Sequence, residues 1–189
     1  VILISLHGSI GEDSVPNTTY FDEDYAGWIT TSILEGYELS ARAEGDIYIR
    51  EISGSLLVGV VESVSGNVSL SAYMDVKSIN KEGSPRINVI GKDIYVETTN
   101  GIISINVEAK GDAVLNAADS ITNLRQEGIY NILISGINIT LISRNGGVGQ
   151  EDSYIDIDTD KTGILNVYAN LGVYIREIRD SLTIGRVIS

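Results

Sequence analysis

One short stretch is written three times in this chain. Gly45-Asp46-Ile47-Tyr48-Ile49-Arg50-Glu51 is echoed by Asp93-Ile94-Tyr95-Val96-Glu97 and again by Val173-Tyr174-Ile175-Arg176-Glu177. The run behind each copy recurs too: Ser53-Gly54-Ser55-Leu56-Leu57-Val58-Gly59, Asn100-Gly101-Ile102-Ile103-Ser104-Ile105, and Asp180-Ser181-Leu182-Thr183-Ile184-Gly185. A second half-module, Ser65-Gly66-Asn67-Val68-Ser69-Leu70-Ser71-Ala72, returns as Lys110-Gly111-Asp112-Ala113-Val114-Leu115-Asn116-Ala117. Such self-similarity marks stacked repeats, in which each unit covers its apolar face only when the next unit packs on it.

The register extends to both ends. Ile2-Leu3-Ile4-Ser5-Leu6 lies over Val68-Ser69-Leu70-Ser71-Ala72, with Ile10 over Val76. Leu3, Gly8 and Ile10-Gly11 also match Leu141, Gly146 and Val148-Gly149 at an offset of 138, whereas Tyr48 and Tyr174 are offset by 126. The difference of 12 residues is expected between Gly11 and Glu44, where the only Trp lies. On this overlay Ser189 falls on Ser63 and Val1 on Asn67. The chain then opens on the tail of a module and closes on the head of one, three linking residues short of a continuous repeat.

Ile, Val, Ser, Thr, Asn, Gly and Tyr dominate, the mix of strands and tight turns rather than helices. Strand candidates arrive every nine or ten residues between Gly, Asn, Asp or Ser, and apolar residues alternate with polar ones inside them. Ile47 and Ile49 are expected to face in with Tyr48 and Arg50 out; Ile103, Ile105 and Val107 in with Ser104, Asn106 and Glu108 out. Ala72, Ala113, Ala117 and Ala169 suit a narrow interior. The expectation is an all-β, right-handed parallel β-helix of stacked coils, about 20 residues each and about nine in number. It forms a single solenoid over residues 1–189, with a loop or lateral insertion at about 12–38.

The net charge of -13 and pI near 4.3 argue against a nucleic-acid partner, which needs clustered Lys and Arg. With no Cys there is neither a disulfide framework nor a thiolate site. No apolar run approaches the roughly 18 to 20 residues of a membrane helix, so no membrane insertion is expected. Without an initiator Met or a signal-peptide pattern, any targeting segment is expected outside this stretch.

The ordered pieces Gly-Asp-Ile-Tyr-Ile, Ser-Gly-x-Leu-x-Val-Gly and Ser-Gly-Asn-Val-x-Leu-x-Ala resemble the repeat region of large bacterial filamentous haemagglutinin-type and leukotoxin-type filamentous adhesins. The resemblance covers roughly residues 1–11, 39–123 and 137–189. It implies an extracellular, cell-surface β-helical shaft with no catalytic residues; the module cuts at both ends and their uncapped strand edges add the expectation that the ends continue into neighbouring repeats or stack head to tail with other subunits.

Three groups of residues are candidate sites. Val1, Ile2, Leu3, Ile4, Leu182, Ile184, Val187 and Ile188 are the candidate assembly ends, since an uncapped strand edge invites pairing with another chain. Tyr20, Phe21, Tyr25 and Trp28, together with Tyr48, Tyr95 and Tyr174, are candidate contact residues for a host or neighbour-cell glycan or protein. The last three share a repeat position and are expected to point outward in a ladder. Asp156, Asp158 and Asp160 alternate along one strand face and offer a surface for Ca²⁺, although Lys161 and Val167 stand where an EF-hand wants Gly and Glu. No other cofactor is expected. His7 is the only histidine and matches Asn145, a polar turn position, so no Ser/His/Asp or Cys/His constellation can be built and no enzyme is expected. The alternative is a carbohydrate-binding or carbohydrate-cleaving β-helix of the lyase or phage-spike type, in which acidic and basic side chains would converge in one groove.

Overall fold

Short alternating runs, each ended by a turn residue, cannot bury an apolar face alone; they form strands whose partners come from the next coil. A computed structural model describes residues 1–11, 27–78, 87–123, 132–179 and 181–189. Among them there is no helix. The strands are β1 (Ile2–Ser5), β2 (Ile29–Thr31), β3 (Glu38–Ala43), β4 (Ile47–Glu51), β5 (Leu56–Ser63), β6 (Val68–Ala72), β7 (Val76–Ser78), β8 (Val89–Gly91) and β9 (Ile94–Thr98). They continue with β10 (Ile103–Ser104), β11 (Val107–Ala109), β12 (Ala113–Ala117), β13 (Leu133–Gly136), β14 (Ile139–Ser143), β15 (Ile155–Thr159), β16 (Leu165–Ala169), β17 (Ile175–Glu177) and β18 (Ile184–Ile188).

The chain alternates between two sheets in which every named pair is parallel. Sheet A runs β1-β3-β5-β8-β11-β13-β15-β17, with β7 and β10 beside it, and sheet B runs β2-β4-β6-β9-β12-β14-β16-β18. This is the expected parallel β-helix. Each sheet path counts eight strands rather than about nine. Several coils are longer than 20 residues: successive partners of Ile47 in sheet B stand 21, 26, 19, 26 and 26 residues on, at Val68, Ile94, Ala113, Ile139 and Leu165. One continuous apolar core threads the coils, through Ile47, Val68, Ile94, Ala113, Ile139 and Leu165 from sheet B and Val61, Val89, Val107, Ile134 and Ile157 from sheet A.

The Asx residue that precedes β4, β6, β9, β12 and β14, and the Gly before it at β4, β6 and β12, are explained by contact between coils. The Asp46 carboxylate accepts the Asn67 N–H (2.6 Å), the Asn67 side-chain oxygen the Asp93 N–H (3.3 Å), and the Asp93 carboxylate the Asp112 N–H (3.0 Å). The Asn138 amide donates to Asp112 (2.8 Å), and its oxygen accepts the Ile164 N–H (3.0 Å). This ladder satisfies corner N–H groups that a strand ladder cannot reach. It leaves no room above: a Cβ on Gly66 would meet the Asp46 carboxylate and lie 2.6 Å from the Asp46 nitrogen. A second ladder is buried in sheet A. Asn106, expected to face solvent, is 7% exposed; its N–H donates to Asn88 (3.1 Å) and its side-chain oxygen accepts the Leu133 N–H (2.9 Å).

The long sequence repeat is a structural duplication with the sheets exchanged. Leu3 pairs with Ala41 as Leu141 pairs with Val167, Ile29 with Ile49 as Ile155 with Ile175, and Leu39 with Val58 as Leu165 with Ile184. Strands β1 to β5 therefore correspond to β14 to β18, but each lies in the opposite sheet. Even the bulges coincide, at Gly59 in β5 and Gly185 in β18.

The same pairings correct one expected overlay. Val68, Ile94, Ala113 and Ile139 share a column, and Ile139 corresponds to Val1, so Val1 rather than Ile2 matches Val68. A one-residue slip reverses every side chain: Leu3 packs on the core, while Ile2 and Ile4 face outward, 76% and 66% exposed. Joining Ser189 to Val1 would then need four residues, the equivalents of 64–67, not three.

Candidate assembly ends and lateral excursions

The end strands carry the first candidate site. Among the described residues β1 and β2 pair only with β3 and β4, and β17 and β18 only with β15 and β16. Val1 is 52% exposed, Ile184 59%, Val187 44% and Ile188 42%, whereas Leu3 and Leu182 pack against the core. Ile184 and Val187 continue the inward columns of Leu165 and Val167, so the C-terminal end shows the interior of the helix, while Ile188 continues the outward column of Tyr168.

The second candidate site is a pair of equivalent excursions. Ile10 bridges Ile47 and Ile29 pairs with Ile49, so the chain leaves the coil at Gly11 and rejoins it at Ile29, within one residue's step of β4. Val148 bridges Val173 and Ile155 pairs with Ile175, so residues 149–154 do the same beside β17. The 12-residue difference lies between these two excursions, and residues 29–38 belong to the coils. Both leave through a left-handed glycine, Gly11 (φ 77°) or Gly149 (φ 71°). Only glycine fits: a Cβ on Gly11 would lie 2.7 Å from the Tyr48 carbonyl oxygen, and one on Gly149 would collide with that of Tyr174. The Tyr48 and Tyr174 N–H groups donate to Ile10 and Val148, each at 2.7 Å. Each return is stapled by an aromatic pair, Trp28 on Tyr48 (5.6 Å between centroids, tilted) and Tyr154 on Tyr174 (6.3 Å, edge to face).

Those staples replace the expected tyrosine ladder. Tyr48 is 6% exposed beside Trp28, and Ser69 stands between Tyr48 and Tyr95 in their column. Tyr174 lies in the other sheet. Tyr95 donates its hydroxyl to Glu97 at 2.8 Å. Tyr20, Phe21 and Tyr25 lie outside the described residues.

Next to each staple a glutamate latches two coils. Glu51, fully buried, accepts four hydrogen bonds: Thr31 hydroxyl (3.0 Å), Ile33 N–H (2.7 Å), Ser53 N–H (3.1 Å) and Ser53 hydroxyl (2.9 Å). Its counterpart Glu177 accepts from the Thr159 N–H and hydroxyl, Ile178 N–H and Arg179 N–H, at 2.9–3.2 Å. Burial pushes the Glu177 carboxyl up, but the Thr159 and Arg179 amides, the Thr159 hydroxyl and the Ile178 amide together hold it below the ordinary glutamate value.

The aspartates expected to offer a Ca²⁺ surface have protein partners. Arg176 grips Asp156 through two bonds (2.8 and 2.9 Å), Arg179 pairs with Asp158 (2.9 Å), and Asp160 accepts the Thr162 N–H and hydroxyl. Those two Thr162 bonds, backbone first, hold the Asp160 carboxyl below its usual range. Among the described residues no group of three or more His, Asp or Glu is placed to hold a metal ion. His7 is exposed in a turn.

One open cleft, about 580 Å³, lies where three successive corners stack, lined by Ser32, Glu35, Ser53, Ser55, Met74 and Lys77 among others. Lys77 pairs with Asp75 at 2.5 Å, and the Ser32 and Ser53 hydroxyls touch at 2.9 Å. No known protein family, curated protein or solved structure matches this chain.

Proposed function

We propose that this chain is a structural and adhesive segment of an extracellular bacterial filament, a β-helical shaft whose ends pair with neighbouring repeats or subunits. One observation carries the reading: both ends are parallel strand edges with exposed apolar side chains, whereas among the described residues every interior strand on the two eight-strand paths has a strand on either side. The work of such a shaft is mechanical. Continuous backbone ladders hold the coils that carry Gly11 and Gly149 away from the surface that anchors the shaft, where contact residues such as Trp28 and Tyr174 meet a host or neighbouring-cell glycan or protein. Placement on a bacterial surface rests on the adhesin resemblance.

Electron microscopy of the 189-residue chain across a concentration series, with and without EDTA, tests this. Fibres of even width that lengthen with concentration support it, and their loss in EDTA would add calcium as a bridging ion. Short monodisperse rods at every concentration refute end pairing.

The second reading, a carbohydrate-binding or carbohydrate-cleaving β-helix, is favoured by the corner cleft, where Glu35, Lys77 and three serines converge over apolar Met74. Glycan-array binding lost on Lys77→Ala would support it.

A further inference from the structure

The internal duplication prescribes how two copies would meet, and this inference rests on the end-to-end reading above. The open strand β17 corresponds residue by residue to β4: Val173-Tyr174-Ile175-Arg176-Glu177 against Ile47-Tyr48-Ile49-Arg50-Glu51. The edge of β4 is covered by β6, with Ile47 on Val68, Ile49 on Leu70 and Glu51 on Ala72. The other end of the chain begins with the same kind of strand. In the corrected register Val1, Leu3 and Ser5 correspond to Val68, Leu70 and Ala72, so the inward side chains of β1 nearly repeat those of β6. The molecule thus contains, as β4 on β6, the contact that its two ends would make with each other.

We infer that β1 of a second copy seats on β17 in the register that β6 holds on β4: Val1 on Val173, Leu3 on Ile175 and Ser5 on Glu177. Ile2 and Ile4 then lie beside Tyr174 and Arg176 on the outer face, which covers the two most exposed residues of β1. Sheet phase agrees, because β1 and β17 both belong to sheet A and the same stacking step sets the second copy's sheet B strands on β18. There Ile10 takes on Leu182 the place that Val76 takes on Leu56. The contact is heterologous and leaves both outer ends open, so it propagates.

The chain has no cysteine, so introduced thiols read the register without background. The double variant Ile4→Cys/Arg176→Cys places its thiols directly opposite across the junction, within disulfide reach. The control Ile2→Cys/Arg176→Cys shifts one thiol by two residues, to about 8 Å between α-carbons, too far to close. Under mild oxidation the first should give a ladder of covalent multimers at least tenfold more abundant than the second. Ile2→Cys/Tyr174→Cys is a second in-register pair should the first variant fail to fold. Filaments whose thiols cross-link equally in both registers, or better in the control, overturn the register and leave end pairing standing. Absence of filaments from the unsubstituted chain at every concentration overturns both.

Discussion

Glu51 and Glu177 permit a stability test with an internal control. All four groups around the Glu51 carboxylate are donors, from Thr31, Ile33 and Ser53. Glu51→Gln keeps the shape but turns an NH₂ toward an N–H or O–H, so at least one buried bond becomes a donor facing a donor. Hydrogen bonds to a charged group contribute about 1.5–3 kcal/mol each, and a stranded buried donor costs about 1–3 kcal/mol. Ser53 is exposed and can turn to water, whereas Thr31 and Ile33 are half-buried. Glu51→Gln should therefore cost about 1–3 kcal/mol, and Glu51→Ala, which strands the half-buried Ile33 N–H and leaves the Thr31 hydroxyl only the Arg50 carbonyl oxygen at 3.2 Å, about 2–4 kcal/mol. Glu177 itself is only half-buried, so water can enter the space it vacates and reach the Thr159 donors, and Glu177→Ala should cost less, about 1–2 kcal/mol. Urea unfolding at pH 7 followed by circular dichroism gives the numbers. A Glu51→Gln variant within about 0.5 kcal/mol of the parent would refute the donor count, and equal losses at Glu51 and Glu177 would refute the burial argument.

The coil contacts prescribe three further perturbations. Gly66→Ala should destabilise by about 1–3 kcal/mol because its Cβ meets the Asp46 corner; Gly54→Ala, with nothing within 4 Å, should be neutral or slightly stabilising in the same unfolding assay. Asn106→Ala strands the half-buried Leu133 N–H and should cost about 1–3 kcal/mol, with faster amide exchange at Leu133. The folded Glu177 carboxyl lies below its unfolded value near 4.5, so its stabilisation is present above that pH and is lost as pH falls through the lower folded value. Glu177→Ala should flatten the acid limb of a Tm-against-pH curve below about pH 4.5 and leave its shape near neutrality unchanged.

The repeat and the parallel architecture were legible because recurrence of Asp-Ile-Tyr-Ile and Gly-Asx survives without any knowledge of contacts. The phase of β1 was not. Val1-Ile2-Leu3-Ile4-Ser5-Leu6 is apolar on both faces, so alternation cannot say which half is inside; only pairing with β3 decides. The tyrosine ladder failed for a related reason, since equal module positions are not adjacent rungs, and Ser69 intervenes. Asp156 and Asp158 looked like a cation surface because Arg176 and Arg179 lie one coil away. The latches were missed although Glu51, Glu97 and Glu177 all end the same motif, a recurrence that marked the position as structural. Residues 12–26, with their acidic and aromatic cluster, lie outside the described residues.

The exchange of sheets between the two modules fixes which sheet carries the root of each excursion. From β2 to β14 the chain climbs five rungs of sheet B, then crosses once more to reach β15 in sheet A. An odd number of half-turns separates Ile29 from Ile155, so the two return points stand on opposite sheets of the coil stack. If the proposed adhesive role holds, contacts at the two points would engage two bodies, one on either flank, rather than a single body twice.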